Sequence, residues 1–474
     1  MIRLIATKEL RELARDGRFR LAGAVVLVLL VTTLGFGWRL AASVAEERSA
    51  AQQAAEESWQ GQGDKNPHVA AHYGKYVFKP LGTLAFLDPG VDPFLGVTLK
   101  LEAHKQNLAH DAPAQDATAI HRFGQLSAAS VLQLFVPLLL IALGFAAWTG
   151  ERERGTLRQL ASTGVSMRHL LLGKALGLAG ALAGVLLPAV AVAVAMAAWL
   201  GGGADPGWLG RLALMVGAYG LYFGAMAGLV FFVSARAPSS RHALVVLVGF
   251  WSVTSLVVPR VASDVAARVV SLPAPAEFAA AVRHSMENGL PGGAPREERV
   301  SALSAALLKR HGFEGAEAFM DEAMLQGIEL QAEAAFEDEV LDHHVAGLAT
   351  ALARQERVAQ WAAVASPFLA IRAVSSGLAG TDHAHHRAFQ VQAEAYRRAL
   401  VQALNDDLAR NAGDDVWRYQ AGRALWERAP VFAYVAPGLG WALDHLGVAL
   451  AVLVGWLALA WAAAWRSLRR IPLF

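Results

Sequence analysis

Residues 131–148 read VLQLFVPLLLIALGFAAW and carry no charge. A helix crosses the hydrocarbon core of a bilayer with roughly 20 apolar residues, so this run, filled out to 128–149, predicts a transmembrane helix. Pro137 does not count against it, because neighbouring helices re-satisfy the backbone groups that proline frees inside a membrane. Upstream, LAGAVVLVLLVTTLGFGW at 21–38 predicts a span over 21–42. Downstream follow spans over 175–200, 209–233, 242–258 and 443–465. The third and fourth are separated by a Gly/Asp/Pro turn at 201–206, and the last carries Asp444 and His445 near one interface. Six such helices make an all-α membrane protein. Composition agrees: 17% of the 474 residues are charged, against about 25% in soluble domains.

The basic residues set the orientation. Arg3, Lys8, Arg11, Arg15, Arg18 and Arg20 precede the first span, in segment 1–20. Arg152, Arg154, Arg158, Arg168 and Lys174 lie at 150–174, between the second and third. Arg236 and Arg241 link the fourth to the fifth, and Arg466, Arg469 and Arg470 lie in the tail at 466–474. With six spans all four segments fall on one side, which the positive-inside rule makes the cytoplasm. Both termini are then cytoplasmic. Glu9, Glu12, Asp16 and the length of the first apolar run argue against a cleaved signal peptide. Two large segments, 43–127 and 260–442, fall on the far side. The second predicts helices: 313–364 is rich in Ala, Glu, Leu and Gln without proline, Ser366-Pro367 interrupts it, and another helix is expected over 385–410. Pro67, Pro80, Pro89 and Pro93 predict turns and short pieces in the first. Glu329, Glu333, Glu337 and Asp338 read as a solvated face. The absence of cysteine excludes disulfides and Cys-ligated zinc, and the alanine-rich bias points to a bacterium, hence an inner membrane with periplasmic insertions.

Residues 150–174, GERERGTLRQLASTGVSMRHLLLGK, follow the second span directly. Charges come first, then a turn at Gly155-Thr156, a short amphipathic piece, and a turn at Gly164. A second short helix is expected over 167–172, leading to Gly173-Lys174. A short helix joined rigidly to two spans is built to carry force from a partner into the membrane. A basic loop that only sets topology is the plain alternative.

This stretch resembles the coupling segment of ABC type-2 permeases. The residues that carry the resemblance are Glu151, Glu153, Gly155, Thr156, Leu157, Arg158, Leu160, Gly164, Gly173 and Lys174. The start of the chain, with Ile2, Ile5, Leu10 and Leu13 on one helical face, resembles the amphipathic connecting helix of the same family. Stretches 72–80, 88–90, 101–104, 366–368, 380–382 and 386–389 resemble a subgroup with a large extracytoplasmic domain of unassigned function. The resemblance implies an exporter: this permease paired with a second copy or a homologous permease, above two separate ABC ATPase subunits that hold ATP and Mg. The second and fifth spans would line the substrate path, which points to Gln133, Phe135, Phe250, Trp251 and Thr254; ordinary helix packing is the alternative for each. Membrane lipid and a periplasmic or outer-membrane protein are further expected partners. The chain's own Gly-Lys pairs, Gly74-Lys75 and Gly173-Lys174, lack the glycine and Ser/Thr spacing of a P-loop, so no nucleotide site and no cofactor are expected here. No basic-aromatic patch suggests nucleic acid, and no catalytic residues emerge.

Histidines supply the other candidate chemistry. His68 and His72 stand four apart and share a face if helical. Asp382, His383, His385 and His386 form a second cluster and His343-His344 a third. Imidazole and carboxylate suit zinc, copper or nickel; solvated or hydrogen-bonded histidines are the plain alternative. Three functions therefore compete: export, ATP-driven mechanical action on a periplasmic partner without transport, and a membrane-anchored metal-binding protein.

Overall fold

The computed structural model describes residues 1–107, 109–113, 126–201, 207–310, 312, 322–412 and 415–470. The expected turn at 202–206, the start of the expected long helix at 313–321, and tail residues 471–474 lie outside them.

Among the described residues, six helices are long and apolar enough to cross a membrane. They are α2 (Gly17–Gln60), the helix holding α4 (Val136–Gly144), α7 (Met167–Gly201), α8 (Trp208–Arg236), the helix opened by α9 (Ser240–Ser252), and α17 (Leu439–Ser467). Their inward faces share one apolar core that includes Leu30, Leu140, Leu171, Tyr222, Leu247 and Leu453. Ahead of the first span, α1 (Ile2–Arg15) is separate. Asp16 leaves helical geometry and its side chain accepts a hydrogen bond from Arg18 N, which ends one helix and caps the next.

Two expectations need correction. The segment at 43–127 was expected to hold turns and short pieces, yet it opens as a continuation of α2, which runs unbroken for 44 residues. At 1.5 Å per residue that is about 66 Å, roughly twice the hydrocarbon thickness. The sequence of its outer half, rich in Ala, Glu and Gln with neither Gly nor Pro, explains this. Likewise no separate short helix covers 167–172. Met167–Gly201 is one helix, because Gly173 is held against Ile5 of α1 rather than used as a break.

The second and fifth spans share an irregularity. A π turn over Val131–Phe135 precedes Pro137, and another over Val253–Val257 precedes Pro259. Proline clashes with the carbonyl four residues back, which here belongs to Gln133 and to Ser255. Widening the turn by one residue relieves the clash and frees carbonyls.

The large insertions fold together on the side away from the chain's basic segments. From the first come α3 (Pro67–Tyr73) and the antiparallel pair β1 (Lys75–Phe78) and β2 (Thr98–Leu101). The second gives α10 (Val258–Val269), α11 (Pro275–Asn288), α12 (Arg296–Arg310), α13 (Glu322–Ala362), α14 (Pro367–Ala379), α15 (His383–Asn411) and α16 (Arg423–Arg428). A second core joins α2, α3, the strands, α15 and α16 through Trp59, Ala70, Val77, Leu101, Phe389, Leu404 and Trp426. The acidic face of α13 is paired rather than merely solvated: Glu333 meets Arg296, Glu337 meets His104, and Asp338 meets Arg397. Nor does α14 belong to the outer body. Ala370, Ile371, Val374 and Leu378 sit in the core of the spans, so this helix drops back among α8 and α17.

Candidate functional site

The short-helix segment contains α5 (Thr149–Glu153) and α6 (Thr156–Ser162). Gly155 joins them in the left-handed region at φ 75°, and Gly164 follows at φ 78°. Only glycine holds that geometry without steric cost. Thr156 Oγ1 donates to Glu151 O across the turn (3.2 Å), and Leu157 is buried beneath it at 1% exposure. The face turned outward presents Arg154, Arg158 and Gln159, while Leu160 is half-buried.

Three ties fasten this segment to its neighbours. Lys174 Nζ, at the start of the third span, donates to Glu151 Oε1 at 2.7 Å and to Glu9 Oε1 of α1 at 3.1 Å. Glu153 accepts from the Ser240 amide and hydroxyl, both at 2.7 Å, where the fifth span begins. Arg152 donates to Ala237 O in the same link. Beneath the Lys174 tie, a Cβ on Gly173 would stand 2.5 Å from Ile5 Cγ2, and one on Gly177 would stand 2.6 Å from Glu9 Cβ. These glycines let α1 lie flush on α7. The second, third, fourth and fifth spans and α1 are thus connected at the short helices.

Deeper in the spans, both π turns are tied to neighbouring helices by hydrogen bonds. Trp251 Nε1 donates to Leu134 O (3.1 Å) and Tyr222 OH to Gln133 O (3.1 Å), so the carbonyl that Pro137 frees and its neighbour are both satisfied. Ser366 Oγ does the same for Thr254 O at 2.7 Å. Gln133 Nε2 donates to Tyr219 OH, which bonds Ser375 of α14, forming a buried polar chain through the core. Of the path residues read from sequence, Gln133 and Thr254 are buried, and Phe135, Phe250 and Trp251 are half-buried. Phe250 stacks edgewise on Trp456 of the last span (5.8 Å). Tyr219, Tyr222 and Ser366 were missed, because nothing in a linear sequence marks a hydroxyl as the partner of a buried amide or of a carbonyl in a distant π turn. A cavity of about 390 Å³ opens nearby, lined chiefly by Leu, Ala and Val of the first four spans, with Tyr219 and Ser375 at its polar edge.

The histidines regroup. On α3, His68 and His72 do share a face, with Nε2 atoms 3.1 Å apart. His104, which the sequence reading passed over, joins them, its ring centroid 4.8 Å from that of His72. Burial, reinforced by the neighbouring imidazoles, pushes His68 down to about 4, while the bond to Glu337 raises His104. In the second cluster Asp382 contacts His385 Nδ1 at 2.6 Å and His445 Nε2 at 2.9 Å. Burial alone would raise the Asp382 carboxyl, but the two imidazole bonds outweigh it and hold it well below the usual range. His383 is exposed and His386 is buried, and neither belongs to that grouping. His344 bonds Ser285 Oγ at 2.9 Å, and His343 packs beside it.

A family model described as ABC-2 family transporter protein matches residues 3–468, nearly the whole chain. No curated protein matches it.

Proposed function

The chain belongs to the ABC-2 transporter family, and on that premise we propose that it is the permease subunit of an ABC-type exporter, driven by separate ATPase subunits that act on the short helices α5 and α6. Members of this family are transmembrane subunits and not ATPases, so ATP and Mg belong to the partner. The observation that carries the reading is Lys174, 5% exposed, held between Glu151 of α5 and Glu9 of α1. A push on α6 reaches the third span and α1 through that lysine, and the fifth span through Glu153 and Ser240. The basic segments support a cytoplasmic position for this end by the positive-inside rule, on the side where ATP is. The fifth span is the least enclosed of the six, which leaves its face for lipid or a second permease. Movement of the second span against the fifth would work on the two π turns, a type of irregularity that concentrates at functional sites.

A second reading, mechanical action on a periplasmic partner, is favoured by α2. It is one rod from the membrane to the outer body, where Lys75 pairs with Glu56 and Trp59 Nε1 donates to Trp426 O. Both readings need a tight ATPase partner. The tagged chain, purified in mild detergent, is expected to bring an ABC ATPase with it. Gly155→Pro breaks the left-handed turn and is expected to uncouple or abolish ATP hydrolysis while leaving the outer body folded. No ATPase in the preparation, and no effect of the substitution, would sink both readings. Uptake of candidate substrates into inverted vesicles separates them, since only the exporter moves a solute.

A further inference from the structure

We propose that His68, His72 and His104 form a binding site for one first-row divalent transition ion of the zinc and copper class, on the body outside the spans. The inference does not depend on the transport reading.

The three imidazoles come from two separate parts of the first insertion, two from α3 and one from the turn after β2. One ring nitrogen from each lies within 4.8 Å of the others. Nitrogen ligands at 2.0–2.1 Å in a tetrahedral shell stand about 3.3 Å apart, so small ring rotations close the set. What surrounds the rings distinguishes them from three histidines that happen to be near. His104 Nδ1 is bonded to Glu337 of α13, which leaves its Nε2 as the atom to offer. The buried His68 Nδ1 has the Asn405 carboxamide of α15 as its neighbour, and neither that nitrogen nor Asn405 Oδ1 has another hydrogen-bond partner. An acceptor for the hydrogen on the far nitrogen fixes tautomer and ring orientation, and metal-bound histidines almost always have one. His68 Nε2 then faces His72 Nε2 with the single ring hydrogen of His72 between them, and a cation can take that place when His72 carries its one hydrogen on Nδ1, its outer nitrogen, instead.

The backbone is arranged for this too. His104 has φ 61°, one of two positive-φ residues other than glycine among the described residues. Such a conformation is unfavourable for a residue other than glycine and persists where the surroundings impose it. On the other side, Asn66 caps α3 and its Nδ2 donates to Val416 O and Tyr419 O, which anchors the helix against the second insertion. His72 is exposed while His68 is buried, so the site opens to solvent on one side and keeps a free coordination position. The grouping of Asp382, His385 and His445 has the opposite build: its carboxylate already lies between the two imidazoles and is used by both, which makes it a fastener of α15 to α17.

The test uses the full chain in detergent, stripped with EDTA, desalted, and dialysed against Zn2+ with the metal content measured. One zinc per chain at micromolar free Zn2+ is expected. His104→Gln should weaken binding at least tenfold, and Glu337→Gln, which touches no metal, about 10- to 100-fold. His72→Gln alters an exposed side chain, keeps the thermal unfolding profile, and should also lose the zinc. His343→Gln, outside the cluster, should bind as the unaltered chain does. Absence of zinc from the unaltered chain overturns the proposal. So does unchanged stoichiometry and affinity in the well-folded His72→Gln and Glu337→Gln chains, which would place the bound zinc elsewhere.

Discussion

Lys174 brings a charge to a position only 5% exposed and meets two carboxylates there. Removing one partner of a buried ion pair leaves the other uncompensated and costs about 3–5 kcal/mol, whereas removing both is far milder. Lys174→Met is therefore expected to lower the thermal unfolding temperature of the detergent-purified chain and to uncouple ATP hydrolysis. Adding Glu151→Gln should recover part of the stability, with a coupling energy in the range of about 0.5–3 kcal/mol typical of contacting residues. If the double variant is as unstable as the sum of the single ones, Lys174 and Glu151 do not act as a pair. The sequence reading put Glu151 and Lys174 in one stretch, though not as a pair. It did not show Glu9 as the third member, 165 positions away, nor Ser240 as the partner of Glu153. Contacts between segments so far apart leave no trace in local periodicity.

At the scale of elements, the apolar runs were legible because a membrane-spanning helix is read from length and hydropathy alone. Where each helix stops was less so. The first span's helix continues to Gln60 because nothing in its alanine- and glutamate-rich continuation breaks it, and the bilayer boundary does not end a helix whose outer half is soluble. The drop of α14 into the span core was hidden for a different reason: Pro367–Ala379 is too short to read as a span. Gly173 looked like punctuation and proved to be a seat. A side chain there meets Ile5 Cγ2 at 2.5 Å and Ile5 Cβ at 2.6 Å, so Ile5 cannot simply swing aside and α1 must lift. Gly173→Val is expected to expose α1 and speed tryptic cleavage at Arg11 and Arg15 several-fold in detergent. Gly184→Val is the control, since a Cβ at Gly184, on the same helix, meets nothing within 4 Å. Equal cleavage of the two variants would mean that α1 is not held by that glycine seat.

For the molecule as a whole, the arrangement of charge and mass is what a single experiment can decide. Four basic segments lie at one end of six spans, and the outer body with its histidine clusters lies at the other. Only one orientation puts α5 and α6 within reach of a cytoplasmic ATPase and the histidine site in an extracytoplasmic space. The chain contains no cysteine, so each introduced thiol is a unique reporter. Ser162→Cys stands on the exposed end of α6, and Val431→Cys replaces a residue 67% exposed on the outer body. With a membrane-impermeant maleimide on intact spheroplasts, position 431 is expected to label and position 162 to stay dark until the membrane is permeabilised. The reverse pattern would put the short helices away from ATP and remove the physical basis of the coupling proposal, whatever the family. Labelling of both in intact spheroplasts would place them on one side, which an even number of spans between α6 and the outer body would require and the three seen here, α7, α8 and the helix opened by α9, do not.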